Sequence, residues 1–300
     1  MAAKKGFLIG ALFGLILLFV YIYSQPDGKL HLVFCDVGQG DAIFIKTPDN
    51  HDLLIDGGPN ERVLQCLGDN MPFYDRTIDM VVLTHPQKDH LQGLLSVIDR
   101  YSIKYFVSVP VGNTSQGFSE LKKKIEAKGI PVKNLYQGDN FSMGEVKFNV
   151  LWPEREWTNE KLGNNILLAG NSSNVLGISA ESADLNSFSI VLYLNYRQFD
   201  TLLTGDSDSK IQPEIIRTAK IPDVEILKFP HHGSKTGITR EFLEEIRPEL
   251  TIISVGKNPW GHPTKEALAQ LEAIKSQVAR TDQRGEIEVI SDGKSWSIDK

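Results

Sequence analysis

The sequence predicts an α/β (α+β) fold in which two mixed sheets pack face to face with helices outside, behind an N-terminal transmembrane helix. Three observations predict it. Short apolar runs separated by Gly, Pro, Asn and Asp are typical of strands. Helical spacing appears between the later strands, and a long uncharged apolar run lies near the N-terminus.

The bulk composition excludes some functions. The chain has 300 residues and a formal net charge of −6, so it can bury a large core and has no basic footprint of a nucleic-acid binder. An enzyme that acts on phosphodiesters is still allowed, because the charge of a bound metal can dominate a site locally.

The N-terminal apolar run predicts a membrane anchor. The run Phe7–Tyr23 is 17 residues long, which is close to the lower limit of roughly 17–25 residues for a spanning helix. Lys4 and Lys5 on its short N-terminal side predict that this end stays in the cytoplasm. We therefore expect residues 1–29 to form a single-pass anchor and linker in the cell membrane, with the catalytic domain extracytoplasmic. A cleaved signal peptide is the alternative.

The elements after residue 29 follow from apolar periodicity and turn residues. Strands are predicted at 29–37, 41–47, 51–58, 79–85, 104–111, 131–153 (two or three strands), 189–206 (a hairpin), 224–230, 250–256 and 285–298 (a hairpin). Helices are predicted at 91–102, 119–129, 210–219, 239–249 and 264–276. The stretch 153–187 is the least regular and predicts a surface insertion or mobile loop.

Polar side chains gather where the predicted strands end. Because residues at the exits of adjacent strands can converge on one point, we expect a site there. The residues at or just beyond such exits are Asp56, His85, Asp206, His231, His232 and His262.

The two cysteines, Cys35 and Cys66, are too few for a disulfide framework or a thiolate zinc site. We expect two separate buried thiols, with a single bridge as the alternative.

Several motifs together carry a resemblance to a known family. "DVGQGD", "LLIDGG", "VVLTHPQKDH", "LLTGD", "LKFPHHGSKTG" and "NPWGHP" occur in this order. They resemble the metallo-β-lactamase superfamily, and within it the C-terminal domain of the competence DNA-uptake protein ComEC. The resemblance spans about residues 30–293. It implies a four-layer αββα sandwich with a metal site at one edge of the paired sheets, so we expect residues 30–300 to form a hydrolase domain.

The resemblance also implies metal ligands. The superfamily pattern His-x-His-x-Asp-His appears here as residues 85–90, with Gln87 in place of the second histidine. One metal position keeps a complete set, and the other keeps His85 and a shared carboxylate, with Gln87 as a weak neutral donor. Imidazole and carboxylate suit Zn or Mn, so we expect one firm divalent site and a second that is weak or absent. The complete set is Asp89, His90, Asp206 and His262.

The "HHGSKT" loop adds candidate catalytic and binding groups. His231 or His232 could bind the metal or protonate the leaving oxygen. Asp89 or Asp206 would hold and deprotonate the attacking water. The turn at Gly233 brings hydroxyl and amine donors that could hold a phosphate. These donors are Ser234, Lys235 and Thr236.

Two further carboxylates are expected to support the ligands. Asp36 is a candidate to orient a ligand histidine, and Asp56 to support the site from behind. Stabilisation of a turn is the alternative for Asp56, and capping of the Gly-Gln-Gly turn is the alternative for Asp41.

The predicted function is therefore metal-assisted hydrolysis, most specifically by a phosphodiesterase or nuclease acting on single-stranded DNA. One alternative is hydrolysis of another small ester or lactam by the same site. The second is a non-catalytic relative of the same fold, with Gln87 as the first sign of decay, that binds a ligand or partner. The third is a purely structural membrane-anchored domain, which the carboxylates and histidines of the motifs disfavour.

Overall fold

The computed structural model describes residues 9–15, 25–163, 176–179, 184–219 and 221–299. Within them lie two large mixed sheets, one of eight strands and one of seven, and a two-stranded pair.

The strands, numbered in chain order, are β1 Leu30–Phe34, β2 Ile43–Lys46, β3 Asp52–Ile55, β4 Thr77–Leu83, β5 Ser102–Ser108, β6 Val111–Gly112, β7 Val132–Asn134, β8 Asn140–Met143, β9 Val146–Trp152, β10 Ile178–Ser179, β11 Val191–Tyr196, β12 Phe199–Leu203, β13 Ile226–Lys228, β14 Leu250–Ile253, β15 Gln277–Arg280, β16 Ile287–Ser291 and β17 Trp296–Ile298. The α-helices are α1 Arg62–Asn70, α2 Lys88–Arg100, α3 Gln116–Ala127, α4 Arg155–Leu162, α5 Gln212–Thr218, α6 Arg240–Ile246, α7 Lys265–Ala273 and α8 Thr281–Arg284. Residues 9–15 are helical as well, and Leu185–Phe188 and Pro230–Gly233 form 3₁₀ turns.

Each large sheet is antiparallel on one side and parallel on the other. The first has the order β17-β16-β1-β2-β3-β4-β5-β7, and its pairs from β3 onward are parallel. The second has the order β15-β14-β13-β12-β11-β9-β8, and its pairs from β15 to β12 are parallel. The short strands β6 and β10 form the parallel pair.

Three apolar clusters fix a four-layer arrangement. One lies between the sheets and joins Leu32 of β1 to Phe148 of β9 and Leu194 of β11. The second packs α1, α2 and α3 against the outer face of the first sheet, and the third packs α5, α6 and α7 against the second sheet. Helix, sheet, sheet and helix therefore stack in that order, and the predicted mixed α/β fold of two facing sheets is confirmed.

Local sequence explains where the helices begin and end. The Ser115 hydroxyl caps α3 by accepting a hydrogen bond from the Phe118 amide at 3.2 Å. The same helix ends just before Gly129, whose φ of 62° reverses the chain. Thr239 and Thr264 cap α6 and α7 in the same way.

The predicted membrane span lies mostly outside the described residues. Of Phe7–Tyr23, the structure describes only residues 9–15, which are helical with exposed apolar side chains. Within the described part of the chain, no helix combines the length and apolarity that crossing a bilayer requires. The division into an anchor at 1–29 and a domain at 30–300 stays a prediction.

Part of the stretch predicted to be irregular is packed. Residues 155–162 form α4, and the Trp157 ring lies 4.8 Å from both the Trp152 and the Phe188 rings. The prediction of an irregular surface insertion or mobile loop was therefore wrong for this helix, which packs on the core through Trp157 and Leu162. The remainder, 164–175 and 180–183, lies outside the described residues.

The two cysteines form a disulfide. Cys35 follows β1 and Cys66 lies in α1, with Cα atoms 5.7 Å apart. The expectation of two separate thiols was wrong, because packing of α1 on the first sheet brings together residues that are 31 positions apart.

Candidate metal centre

The candidate site lies where the parallel strands of both sheets end. Carboxyl ends of parallel strands share one edge of a sheet, and here β3 and β4 of the first sheet meet β12, β13 and β14 of the second. A pocket of about 760 Å³ opens at this edge. Its lining includes Asp89, His231, His232 and His262.

Helix α2 carries two of the candidate ligands. It begins at Lys88, five residues after β4 ends, and places Asp89 and His90 in its first turn. The positive end of the helix macrodipole favours a carboxylate there. Burial alone would raise the pKa of Asp89, but the nearby imidazoles of His232 and His90 lower it.

Asp56 holds the His90 ring from behind. It is buried, with a φ of 59°, and accepts hydrogen bonds from the Thr84 amide at 2.8 Å and the Thr84 hydroxyl at 2.7 Å. Its Oδ2 also lies 2.8 Å from Nδ1 of His90. A proton on Nδ1 leaves Nε2 of His90 facing Asp206 at 3.3 Å. A supporting role for Asp56 requires a contact of this kind, and the role itself stays a prediction.

His232 faces the same carboxylate from the second sheet. Its Nδ1 lies 2.9 Å from the Ser254 carbonyl oxygen after β14, so this nitrogen donates. Its Nε2 lies 3.3 Å from Asp206 Oδ2 and 3.4 Å from Asp89 Oδ2. The backbone of His231 and His232 is left-handed, with φ of 51° and 54°. That conformation costs roughly 1–2 kcal/mol per residue, so the fold holds this ring in place against local strain.

Asp206 lies at the centre of the arrangement. It follows β12, and its amide donates to the Ser189 hydroxyl at 3.2 Å. Oδ2 faces both histidine Nε2 atoms, while Oδ1 lies 3.5 Å from the Lys228 ammonium. Burial alone would raise the pKa of Asp206, but His232, His90 and Lys228 hold it well below its usual value.

The donor atoms fit a metal ion. Ligand atoms of four side chains lie within 4.8 Å of one another, and three of the four are buried. Both Asp206 carboxylate oxygens and the Nε2 atoms of His90 and His232 have no hydrogen-bond partner despite being buried, which is costly unless another group satisfies them. This set of two imidazoles and two carboxylates suits a divalent ion. The four are Asp89, His90, Asp206 and His232.

The balance of buried charges also favours a metal ion at this site. Asp41, Asp56 and Asp206 are buried beside a single ammonium, that of Lys228. Negative charge therefore exceeds positive charge while the histidines are neutral. Burial alone would lower the pKa of His90, but Asp206 and Asp56 raise it well above its usual value. A cation among these carboxylates would relieve the same imbalance.

His85 and Gln87 lie beside this group. His85 is buried, its ring centroid is 4.1 Å from that of His90, and its Nδ1 contacts the hydroxyls of Thr84 and Ser189 at 3.1 and 3.2 Å. Its Nε2 has no hydrogen-bond partner. Burial lowers the pKa of His85 to about 3, so the ring is neutral and able to bind a metal. Gln87 lines the pocket. The number of metals the site takes stays a prediction.

His262 and His231 line the pocket further from Asp206. The His262 ring lies 5.7 Å from the His231 ring, and His262 is not in the group of four. His231 is partly exposed, with Nδ1 3.4 Å from the Asn186 side-chain amide. The structure therefore brings His232, and not His262, beside Asp206, whereas the motif resemblance implied His262 as the ligand; which of them binds a metal stays a prediction. The signal was present, because His232 comes four residues after β13 whereas His262 comes nine residues after β14.

The predicted phosphate-binding loop is split between pocket and surface. Ser234 lines the pocket, whereas Lys235 and Thr236 are exposed and outside that lining. Gly233 has a φ of 85°, and a Cβ there would lie 2.4 Å from the Pro263 side chain, so only glycine fits.

The "DVGQGD" loop brings Asp41, and not the expected Asp36, to the candidate metal centre. Asp36 pairs with Arg62 at 3.0 Å and accepts from the Gly38 amide, and neither partner is a histidine. Asp41 is buried, with Oδ1 3.4 Å from Nδ1 of His232. Gly40 is required because a Cβ there would lie 2.3 Å from the Asp89 carbonyl oxygen.

Lys228 is the residue that the sequence analysis overlooked. It is fully buried at the end of β13, and its ammonium pairs with Asp41 and donates to the Gly205 carbonyl oxygen at 2.9 Å. A charge inside the apolar strand 224–230 was the signal, because lysine is almost never fully buried without a partner.

Comparison with known proteins gives distant but extensive similarities. No protein-family model matches the chain. It is 26% identical over 293 residues to ComE operon protein 3 of Bacillus subtilis (strain 168), which covers 91% of this chain and 34% of that protein. It is 27% identical to Recombination protein 2 of Haemophilus influenzae (92% and 31% covered) and 24% identical to competence protein ComA of Neisseria gonorrhoeae (88% and 33%). The chain thus spans about a third of these curated relatives.

Solved structures are more distant. The chain resembles the metallo-β-lactamase fold protein YhfI from Bacillus subtilis, with 11% identity, a TM-score of 0.47 and coverage of 83% and 95%. It also resembles Igni18, a metallo hydrolase from Ignicoccus hospitalis, with 13% identity, a TM-score of 0.49 and coverage of 88% and 98%. The resemblance to competence proteins predicted from the motifs is confirmed by sequence similarity: the chain is a homologue of about a third of each of these competence and recombination proteins.

Proposed function

We propose that the chain is a membrane-anchored, metal-dependent hydrolase that cleaves phosphodiester bonds of single-stranded DNA. The observation that carries the proposal is the group of four side chains that includes Asp206, whose ligand atoms lie within 4.8 Å of one another. Three of the four are buried, and their facing atoms have no hydrogen-bond partner. The names of the competence and recombination relatives support DNA as the substrate.

The residues of the site have distinct roles in this proposal. Asp56 and the Ser254 carbonyl orient the rings of His90 and His232 so that both Nε2 atoms face Asp206. When bound there, a divalent ion supplies the positive charge that polarises a phosphoryl oxygen. Asp89, the most exposed of the four ligands at 29%, is placed to take a proton from an attacking water.

The pocket wall supplies the remaining chemistry. His231 is partly exposed in the lining, where an imidazole can donate a proton to the leaving oxygen. Ser234 adds a hydroxyl donor to the same lining, within reach of a bound phosphate. The exposed Lys235 and Thr236 lie beyond it and have no role in this proposal.

The location is also a proposal. The apolar run Phe7–Tyr23 would hold the chain in the cell membrane with the N-terminus cytoplasmic and the catalytic domain outside. The bridge between Cys35 and Cys66 supports an oxidising compartment.

A nuclease assay on the full chain in detergent tests the activity. Labelled single-stranded DNA is incubated with Mn, Mg or Zn, or with EDTA, and we expect cleavage with at least one metal and none with EDTA. Asp206→Asn should abolish cleavage. Asp208→Asn is the matched control, because Asp208 lies in the same loop but pairs with Lys210.

The alternatives give different results in the same experiment. A β-lactam hydrolysed faster than DNA would favour the small ester or lactam alternative. No hydrolysis of either substrate at saturating Mn or Zn would overturn the proposal in favour of a non-catalytic binding protein.

A further inference from the structure

The loop that follows β14 is fixed by one side chain. Asn258 donates from its amide to the Gly256 and His262 carbonyl oxygens at 2.8 and 2.9 Å. Its Oδ1 accepts from the amides of Trp260 and His262 at 3.1 and 2.9 Å. Loop 256–262 is therefore preorganised, although it carries little regular structure.

This ordered loop exposes a tryptophan. The Trp260 side chain is 65% exposed, whereas Trp152 is fully buried and Trp157 and Trp296 pack against the core between the sheets. Exposing so large an apolar ring forgoes the stabilisation that burial would give. Contact with a ligand, rather than stabilisation of the fold, therefore explains the exposed position of this ring.

The surroundings of Trp260 point to the substrate. Trp260 lines the same pocket as the metal centre. Successive ring contacts connect it to the metal group, at 6.1 Å to His262, 5.7 Å from there to His231 and 6.3 Å from there to His232.

The charged side chains of the pocket lining also favour a nucleic-acid strand as the ligand. Apart from Asp89, which belongs to the metal group, the described lining has no carboxylate, and it includes Lys88 and Lys257. In a chain of net charge −6, this local balance favours a ligand that carries negative charge along its length.

We propose that Trp260 is a stacking platform for an unpaired base of single-stranded DNA, with Lys88 and Lys257 meeting the adjacent phosphates. The inference rests on the proposed function and adds how the strand is gripped. An aromatic face holds any base and is worth about 5- to 150-fold in affinity per base. A base paired within a duplex cannot stack on it, so the site selects single strands without reading sequence.

Two ligands that differ only in their bases test the inference. The full chain in detergent and EDTA, which prevents cleavage, is titrated into labelled oligothymidylate or an abasic oligonucleotide of equal length, and anisotropy gives Kd. We expect the native chain to bind oligothymidylate at least about 5-fold more tightly. Trp260→Ala should remove this difference, and Trp260→Phe should keep most of it.

The control is Phe73→Ala, since Phe73 is 78% exposed but does not line this pocket. It should bind both ligands like the native chain. An unchanged preference in Trp260→Ala, or an equal loss on both ligands, would overturn the inference. Cleavage in Mn is scored separately. Base-dependent binding without cleavage refutes the proposed hydrolysis alone, and cleavage without base preference refutes the stacking role alone.

Discussion

At the scale of single residues, the identity of the second imidazole, beside His90, decides how the centre works. His232 reaches Asp206 at 3.3 Å, whereas His262 lies beyond His231 in the pocket wall. We expect His232→Ala to lose Zn or Mn affinity by at least about 10–100-fold, the range seen even for groups behind a ligand. His262→Ala should keep its metal. Equilibrium dialysis with metal analysis measures both, and loss of metal in His262→Ala alone would mean that His262 is the ligand.

Asp56 and Asp36 form a natural pair of variants. Asp56 fixes His90 through a 2.8 Å contact, and Asp36 pairs with Arg62 near the surface. Asp56→Asn replaces a carboxylate acceptor and should lower metal affinity about 10–100-fold. Asp36→Asn should leave it unchanged. Equal affinities in the two variants would remove Asp56 from the metal centre.

At the scale of elements, β13 brings a charge into the core. Lys228 is fully buried and pairs with Asp41, so Lys228→Met leaves that carboxylate without its ion-pair partner. We expect a loss of about 3–5 kcal/mol in the free energy of unfolding, measured by urea denaturation in EDTA. Asp41→Leu added to Lys228→Met should recover part of it, because the carboxylate that lost its ion-pair partner is then removed as well.

The control for this prediction is Lys235→Met, since Lys235 is exposed seven residues further along the chain. It should change stability little. A double variant less stable than Lys228→Met would show that the pair is not the source of the effect.

The elements also show what periodicity could and could not predict. Strands such as β3 and β11 were predictable because their apolar pattern is local, and the convergence of strand ends at Asp56, His85 and Asp206 followed from them. The order of strands in each sheet is not local, so it was not predictable from the motifs, whereas the short distance from β13 to His232 was a local signal that the sequence analysis did not use. Helix α4 was missed because only two apolar side chains, Trp157 and Leu162, pack this otherwise polar segment on the core.

At the scale of the whole molecule, the metal would contribute to stability because its ligands come from both sheets. Asp89 and His90 follow the first sheet, and Asp206 and His232 follow the second. Zn or Mn at about 100 times its Kd should add about 2.7 kcal/mol to the free energy of unfolding, seen as a higher melting temperature. Asp206→Asn should show no such rise. If added metal raised the melting temperature of Asp206→Asn as much as that of the native chain, the metal would bind at another site.

The disulfide links the fold to the proposed location. Cys35 and Cys66 close a loop of 31 positions between β1 and α1, and a bridge of this span stabilises by about 3–4 kcal/mol. The variant with both cysteines changed to Ser should lose that amount relative to the oxidised chain. The reduced native chain should resemble the variant.

In cells, the bridge can persist only in an oxidising compartment. Thiol labelling of denatured membranes, with and without prior reduction, should therefore modify the chain only after reduction. Labelling without reduction would contradict the extracytoplasmic location and leave the fold and the metal centre as described.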